Sequence, residues 1–169
     1  IAVGEIRDGE TAQISMRAAI TGHVVLSTIH TNDAVGTIER LEDIGVEPYL
    51  IATALRAVIS QRLVRRICPK CKKSYEATDE EVRRLGLSTE HKHIFYRGEG
   101  CADCFNTGYR GRIGVFEILE ITPEIRPLIS QQAGRPAIEQ ELASAHSEFK
   151  TLRENAIQLV EEGITTTEE

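Results

Sequence analysis

The stretch Ile1-Ala2-Val3-Gly4-Glu5-Ile6-Arg7-Asp8, read with Gly22-His23-Val24-Val25-Leu26-Ser27-Thr28-Ile29-His30-Thr31-Asn32, decides the fold class. Each part is an apolar run that delivers a chemically active side chain at its end. Two such runs with a helical sequence between them predict neighbouring strands of a buried parallel sheet. In open α/β sheets, ligands sit beyond the carboxyl ends of the strands. Glu5 and His30 are therefore expected to point into one crevice. A carboxylate and an imidazole placed there suit nucleotide hydrolysis, close to Mg2+ and a terminal phosphate. His23 starts its strand and so lies at the far end from that crevice.

Working outward, Asp8 to Thr21 reads as a helix capped by Asp8, striped by Ile14, Ala18 and Ala19, and stopped by Gly22. A second helix is expected from Asn32 to Ile44, ahead of Gly45. Pro48 then opens a third, Tyr49 to Leu63, with a broad apolar face. Arg62, Arg65 and Arg66 form a basic cluster, expected to be mainly a solvated face. Thr78-Asp79-Glu80-Glu81 is a capping box opening a short helix through Leu85, and Ile94 to Tyr96 is a short strand. A longer strand is predicted over Arg112 to Ile121. Thr122-Pro123-Glu124 marks another helix start, and helices follow over Ala137 to Phe149 and Thr151 to Glu162. Thr165 to Thr167 are positioned to cap one more.

The four cysteines fall in two C-x-x-C pairs, Cys68-Pro69-Lys70-Cys71 and Cys101-Ala102-Asp103-Cys104, with 29 residues between them. Two such pairs predict a tetrahedral four-sulfur site, and a closed thiolate set favours structural Zn2+. The segment between them holds little apolar material. A structural zinc ion contributes about 10–16 kcal/mol in small peptides, enough to decide whether such a segment folds. His91 and His93 are spare ligands that four sulfurs make unnecessary. A rubredoxin-like iron centre is the rival for this spacing, and the few aromatic residues close by, Tyr75, Phe95, Tyr96 and Phe105, disfavour it.

The 169 residues are 41% hydrophobic, which supports one sizeable core and a small satellite. A net charge of −6 argues against a general nucleic-acid binder, whose phosphate contacts demand a basic face. No apolar run reaches membrane-span length, and no signal peptide is visible, so a cytoplasmic location is expected.

Gly4-Glu5-Ile6-Arg7-Asp8-Gly9-Glu10-Thr11-Ala12 and Thr21 to Ala34 resemble the Walker B segment and histidine box of the secretion ATPases, the motors of type II secretion and type IV pilus assembly. Ala57 to Leu63 and the T-G-Y-x-G-R-x-G-x-x-E run from Thr107 to Glu117 extend the resemblance. No G-x-x-x-x-G-K-[ST] occurs in the chain. In that family the phosphate-cradling loop lies upstream, so the resemblance implies the carboxy-terminal portion of a larger motor. It implies an α/β fold: a partial RecA-like P-loop core over residues 1–67, a tetracysteine zinc insertion over 68–110, and a strand with a carboxy-terminal helical subdomain over 111–169. It further implies catalytic roles for Glu5 and His30, nucleotide contacts for Arg7 and His23, and ATP with Mg2+ as ligands. A homo-hexameric ring at the inner membrane is implied too, acting on a membrane platform protein, with the chain alone inactive. Ile125 to Ile129 sits where retraction motors carry an alanine-isoleucine-arginine motif, and Pro127 departs from it. The alternative is a non-catalytic interaction module stabilised by zinc. The sequence does not separate secretion from pilus extension.

Overall fold

A computed structural model describes residues 1–144 and 148–169. It opens with two extended segments lying side by side in parallel. The Val3 amide donates to the Leu26 carbonyl at 2.8 Å, Leu26 to Ile1 at 2.9 Å, and Ile6 to Thr28 at 2.8 Å. Parallel neighbours need a crossover, and α1 (Gly9–Ile20) supplies it. Burial on both faces, as expected from the apolar runs, is not what these segments show. Ile1, Val24 and Leu26 are 60%, 75% and 68% exposed, and regular pairing shrinks to one bridge between Ala2 and Leu26. A parallel sheet becomes regular when layers cover both faces, and here the pair carries no such cover.

The remaining elements, in order, are α2 (Val35–Asp43), α3 (Pro48–Ala54), β1 (Ala57–Ile67), β2 (Lys72–Glu76), α4 (Asp79–Leu85), β3 (Ile94–Gly98), β4 (Tyr109–Glu120), α5 (Ile125–Ser130), α6 (Arg135–Leu142) and α7 (Leu152–Glu161). Local chemistry sets most of the helix ends. Asp8 Oδ1 accepts from the Thr11 amide at 2.9 Å. Thr78–Glu81 and Thr151–Glu154 both form reciprocal capping boxes. Gly22 and Gly45 end α1 and α2 at φ 98° and 88°. At the start of α1, a Cβ on Gly9 would lie 2.3 Å from the Ile44 carbonyl oxygen, so only glycine allows that approach.

Several expectations are corrected. The buried side of α1 is Ala12, Ser15 and Met16, and Ile14 is 62% exposed. The N-cap of α2 is Ala34 rather than Asn32, and just before it the Asp33 carboxylate accepts from the Gly36 amide at 2.7 Å. The third helix stops at Ala54, because Leu55 is extended and residues 57–67 are strand. The β-branched Val58, Ile59, Val64 and Ile67 favour that outcome once a partner strand is present. The helix from residue 137 ends at Leu142, with residues 145–147 outside the described set. Thr165 and Thr166 start no helix and are buried instead, Thr165 Oγ1 donating to the Arg65 carbonyl at 2.8 Å.

β1 pairs with β4 and β2 with β3. The first ladder is antiparallel, since its ends are Ile121 N to Arg56 O and Cys68 N to Gly108 O, both 2.9 Å. The second runs antiparallel from Lys72 opposite Gly98 to Glu76 opposite Ile94. Compactness divides the chain into residues 1–60 with 117–149, and residues 61–116 with 150–169. The division expected at 68 and 111 follows sequence order, whereas the chain leaves the first unit along β1 and re-enters it along β4.

The first unit is built on α3 packed against α1 and α5, with α6 against α2 and α5. Ile38, Leu41, Ile51, Leu119, Ile125 and Ile129 are its deepest side chains, each worth about 1.5–3 kcal/mol for burial. The second unit has two small cores. One is the cysteine cluster, and the other joins Val82, Phe95 and Val160. Its tail folds back on β1: Ile67 N donates to Ile164 O, and Tyr109 OH meets Thr166 Oγ1 at 2.8 Å. Arg65 stacks over Tyr109 at 4.1 Å and pairs with Glu169, so it is not part of a free basic face. Among the described residues, no helix is long and apolar enough to cross a membrane.

Candidate active-site pair and metal centre

Glu5 follows the first extended segment and His30 follows the second. Because the segments are parallel, their carboxyl ends coincide. The His30 Nε2 lies 3.1 Å from Glu5 Oε1. Arg7 Nε donates to Glu5 Oε2 at 2.7 Å. The imidazole is 93% exposed and the Glu5 side chain 21% exposed, so the acid is sheltered and the ring faces outward. Hydrogen bonding from Arg7 holds the Glu5 carboxyl below its ordinary range, against slight desolvation, with the charges of Arg7 and His30 adding to it. The result is an ionised carboxylate beside an accessible imidazole.

His23 is elsewhere. Its Nδ1 lies 3.3 Å from the Ala18 carbonyl and 3.4 Å from Thr21 Oγ1, at the carboxyl end of α1. Six residues of extended chain lie between it and His30, a span of roughly 23 Å at strand rise. Arg7 is committed to Glu5, and its side chain remains 78% exposed.

A clamp that sequence reasoning missed holds the loop after His30. Asp33 receives Arg135 through Nη2 to Oδ2 at 2.8 Å and Nη1 to Oδ1 at 3.3 Å. Arg135 also donates to Glu139 at 2.6 Å. The Arg135 hydrogen bond draws the Asp33 carboxyl down, against partial burial. Thr31 Oγ1 meets the buried Thr37 hydroxyl at 2.9 Å. Glu117, only 4% exposed, accepts the Ala34 amide at 2.7 Å. Arg110 lies 3.6 Å from Asp103. Arg126 sits on α5 with its Nε buried and without a hydrogen-bond partner among the described residues.

The four cysteines converge. Cys68, Cys71, Cys101 and Cys104 place their sulfurs within 4.8 Å of one another, as free thiols. Individual Sγ···Sγ separations are 3.9 Å for Cys68–Cys101, 3.9 Å for Cys71–Cys104 and 3.7 Å for Cys101–Cys104. A tetrahedral metal with sulfur at about 2.3 Å sets its ligand edges at about 3.8 Å. The donor set therefore fits such an ion in both number and spacing. Burial pushes the Cys71 thiol up to about 12. Burial also acts upward on Cys104, but backbone amides of Cys101 and Gly108 outweigh it and bring that thiol down to about 6. Loading a metal here would displace protons, as thiolate sites do. His93 is engaged with the Ser88 carbonyl at 2.9 Å and stands apart from the sulfurs.

The profile of the "Type II/IV secretion system protein" family matches residues 1–169. The chain is 44% identical over 169 residues to the type II secretion system ATPase E of Vibrio cholerae, and 48% identical over 171 residues to the type IV pilus assembly ATPase PilB of Thermus thermophilus. All of this chain is covered, but only 33% and 19% of those relatives, so it spans a third or less of their length. Its fold superposes on the pilus retraction motor PilT, solved with ADP bound, with a TM-score of 0.64 at 26% identity, covering 99% of this chain and 37% of that one. It also superposes on the Legionella pneumophila ATPase DotB with a TM-score of 0.62 at 22% identity, covering 98% of this chain and 36% of that one. Matched along its whole length, the chain belongs to the type II/IV secretion system protein family.

Proposed function

We propose that the chain is the carboxy-terminal part of an ATP-driven motor serving type II secretion or type IV pilus assembly. The observation that carries this reading is the Glu5–His30 pair, 3.1 Å apart where two parallel segments end, in a chain whose relatives are named as ATPases. Bound Mg2+ and ATP would supply the polarised terminal phosphate. Glu5, kept ionised by Arg7, can orient and deprotonate a water. His30, largely exposed, can donate a hydrogen bond to charge developing on the phosphate. Arg7 steadies Glu5, and in this reading it also borders the nucleotide. His23 anchors the turn after α1, far from the pair, which weighs against nucleotide contact.

The reading extends to a homo-hexameric ring in the cytoplasm, held at the inner membrane through a platform protein. Zn2+ is the ion proposed for Cys68, Cys71, Cys101 and Cys104. The carboxy-terminal helices would serve that assembly, and the chain alone, without a phosphate-cradling loop in its sequence, would not turn ATP over. In the full-length protein, Glu5→Gln should lower ATP turnover about 10²-fold or more with the fold intact. Turnover close to wild type would overturn the motor reading.

A second reading, a docking role for the tetracysteine unit, is favoured by Phe105. Its ring is 90% exposed beside Cys104, on backbone at φ 51°. Under that reading alone, cysteine substitutions act through binding and Glu5→Gln changes nothing.

A further inference from the structure

We propose that Glu117 is a positioning residue: by accepting the Ala34 amide it fixes the loop that presents His30 to Glu5. The inference rests on the hydrolytic reading above and deepens it. At 93% exposure, the His30 ring gains little aim from packing. Its direction is inherited from the backbone that carries it. Upstream, that backbone is tied down where Ile6 N donates to Thr28 O. Downstream, side chains at Thr31 and Asp33 make contacts of their own, and the backbone itself is held at Ala34, a residue with no exposed surface.

Glu117 supplies that hold from β4, 83 residues away in sequence, at 2.7 Å. Three features make the contact strong. The acceptor is a carboxylate, the site is buried, and the amide it accepts stands at the positive end of α2. The Asp33–Arg135 pair fastens the same loop from α6. An apolar residue at position 117 could fill the space, but it could not fix the loop's register. Displacing a reacting group by about 1 Å can cost about 10²-fold in rate.

The test uses the full-length protein. It reads ATP turnover, nucleotide affinity by titration with a fluorescent ATP analogue, and hydrogen exchange of peptides spanning residues 31–36. Glu117→Asp keeps the charge but draws the oxygen back by one methylene. It should lower kcat about tenfold or more, leave KM within about threefold, and speed exchange across residues 31–36 only. Glu117→Gln retains an oxygen of the same reach and should return kcat to within about threefold of wild type. Added to His30→Ala, Glu117→Asp should cost nothing more, because the two act as a unit. Additive losses, a raised KM with unchanged kcat, or wild-type turnover in Glu117→Asp would overturn the positioning role. Should the wild type hydrolyse no ATP, the hydrolytic reading itself fails. Exchange across residues 31–36 left unchanged by Glu117→Asp refutes the clamp on its own.

Discussion

The two compact units solve the same problem with different materials. Residues 1–60 with 117–149 bury aliphatic side chains from five helices and a strand, with Ile38, Leu41, Ile51 and Leu119 almost wholly enclosed. Residues 61–116 with 150–169 enclose four thiols in one place and Val82, Phe95 and Val160 in another. A core that small yields too little hydrophobic free energy to offset the ordering of its backbone. The difference teaches where each unit is vulnerable: the first to cavities, the second to the loss of the metal proposed for its thiols.

The largest expected effect follows from that contrast. Removing metal with a chelator, or replacing Cys68 with serine, should unfold the second unit, since structural zinc contributes about 10–16 kcal/mol in comparable sites. Hydrogen exchange would show protection lost around Phe95 and retained around Ile38. Protection retained in both units would break the comparison. A smaller effect should appear in the other unit. Leu119→Ala, at a site with no exposed surface, should cost about 2–5 kcal/mol in urea unfolding while metal content by atomic spectroscopy stays unchanged.

The smallest effect is a matter of pH. The Tyr75 hydroxyl donates to Glu81 at 2.8 Å, and burial, then Glu81, push its pKa up to about 12. An unfolded tyrosine titrates near 10. Between about pH 10 and 12 the unfolded chain therefore loses its proton first, and the stability Tyr75 contributes is lost as pH rises. Tyr75→Phe should flatten this alkaline decline in the denaturant midpoint. An equally steep decline in that variant would remove Tyr75 from the account.

Legibility followed sequence distance. The caps at Asp8, Thr78–Glu81 and Thr151–Glu154 are local events, visible in four residues. The thiol cluster was visible because cysteine chemistry allows few other uses of two close pairs. Leu55 to Leu63 misled because an apolar run suits either period, and the strand that claims it lies some sixty residues on. Thr165 misled because its partner, Arg65, is 100 residues away. The hold of Glu117 on Ala34 was invisible for the same reason. Glu5 and His30 stand together as the parallel pairing of their segments requires, and their chemistry awaits the substitutions proposed above.

The parallel pair leaves apolar side chains open to solvent. Val24 and Leu26 offer apolar surface of the kind that a partner or a further layer of protein covers.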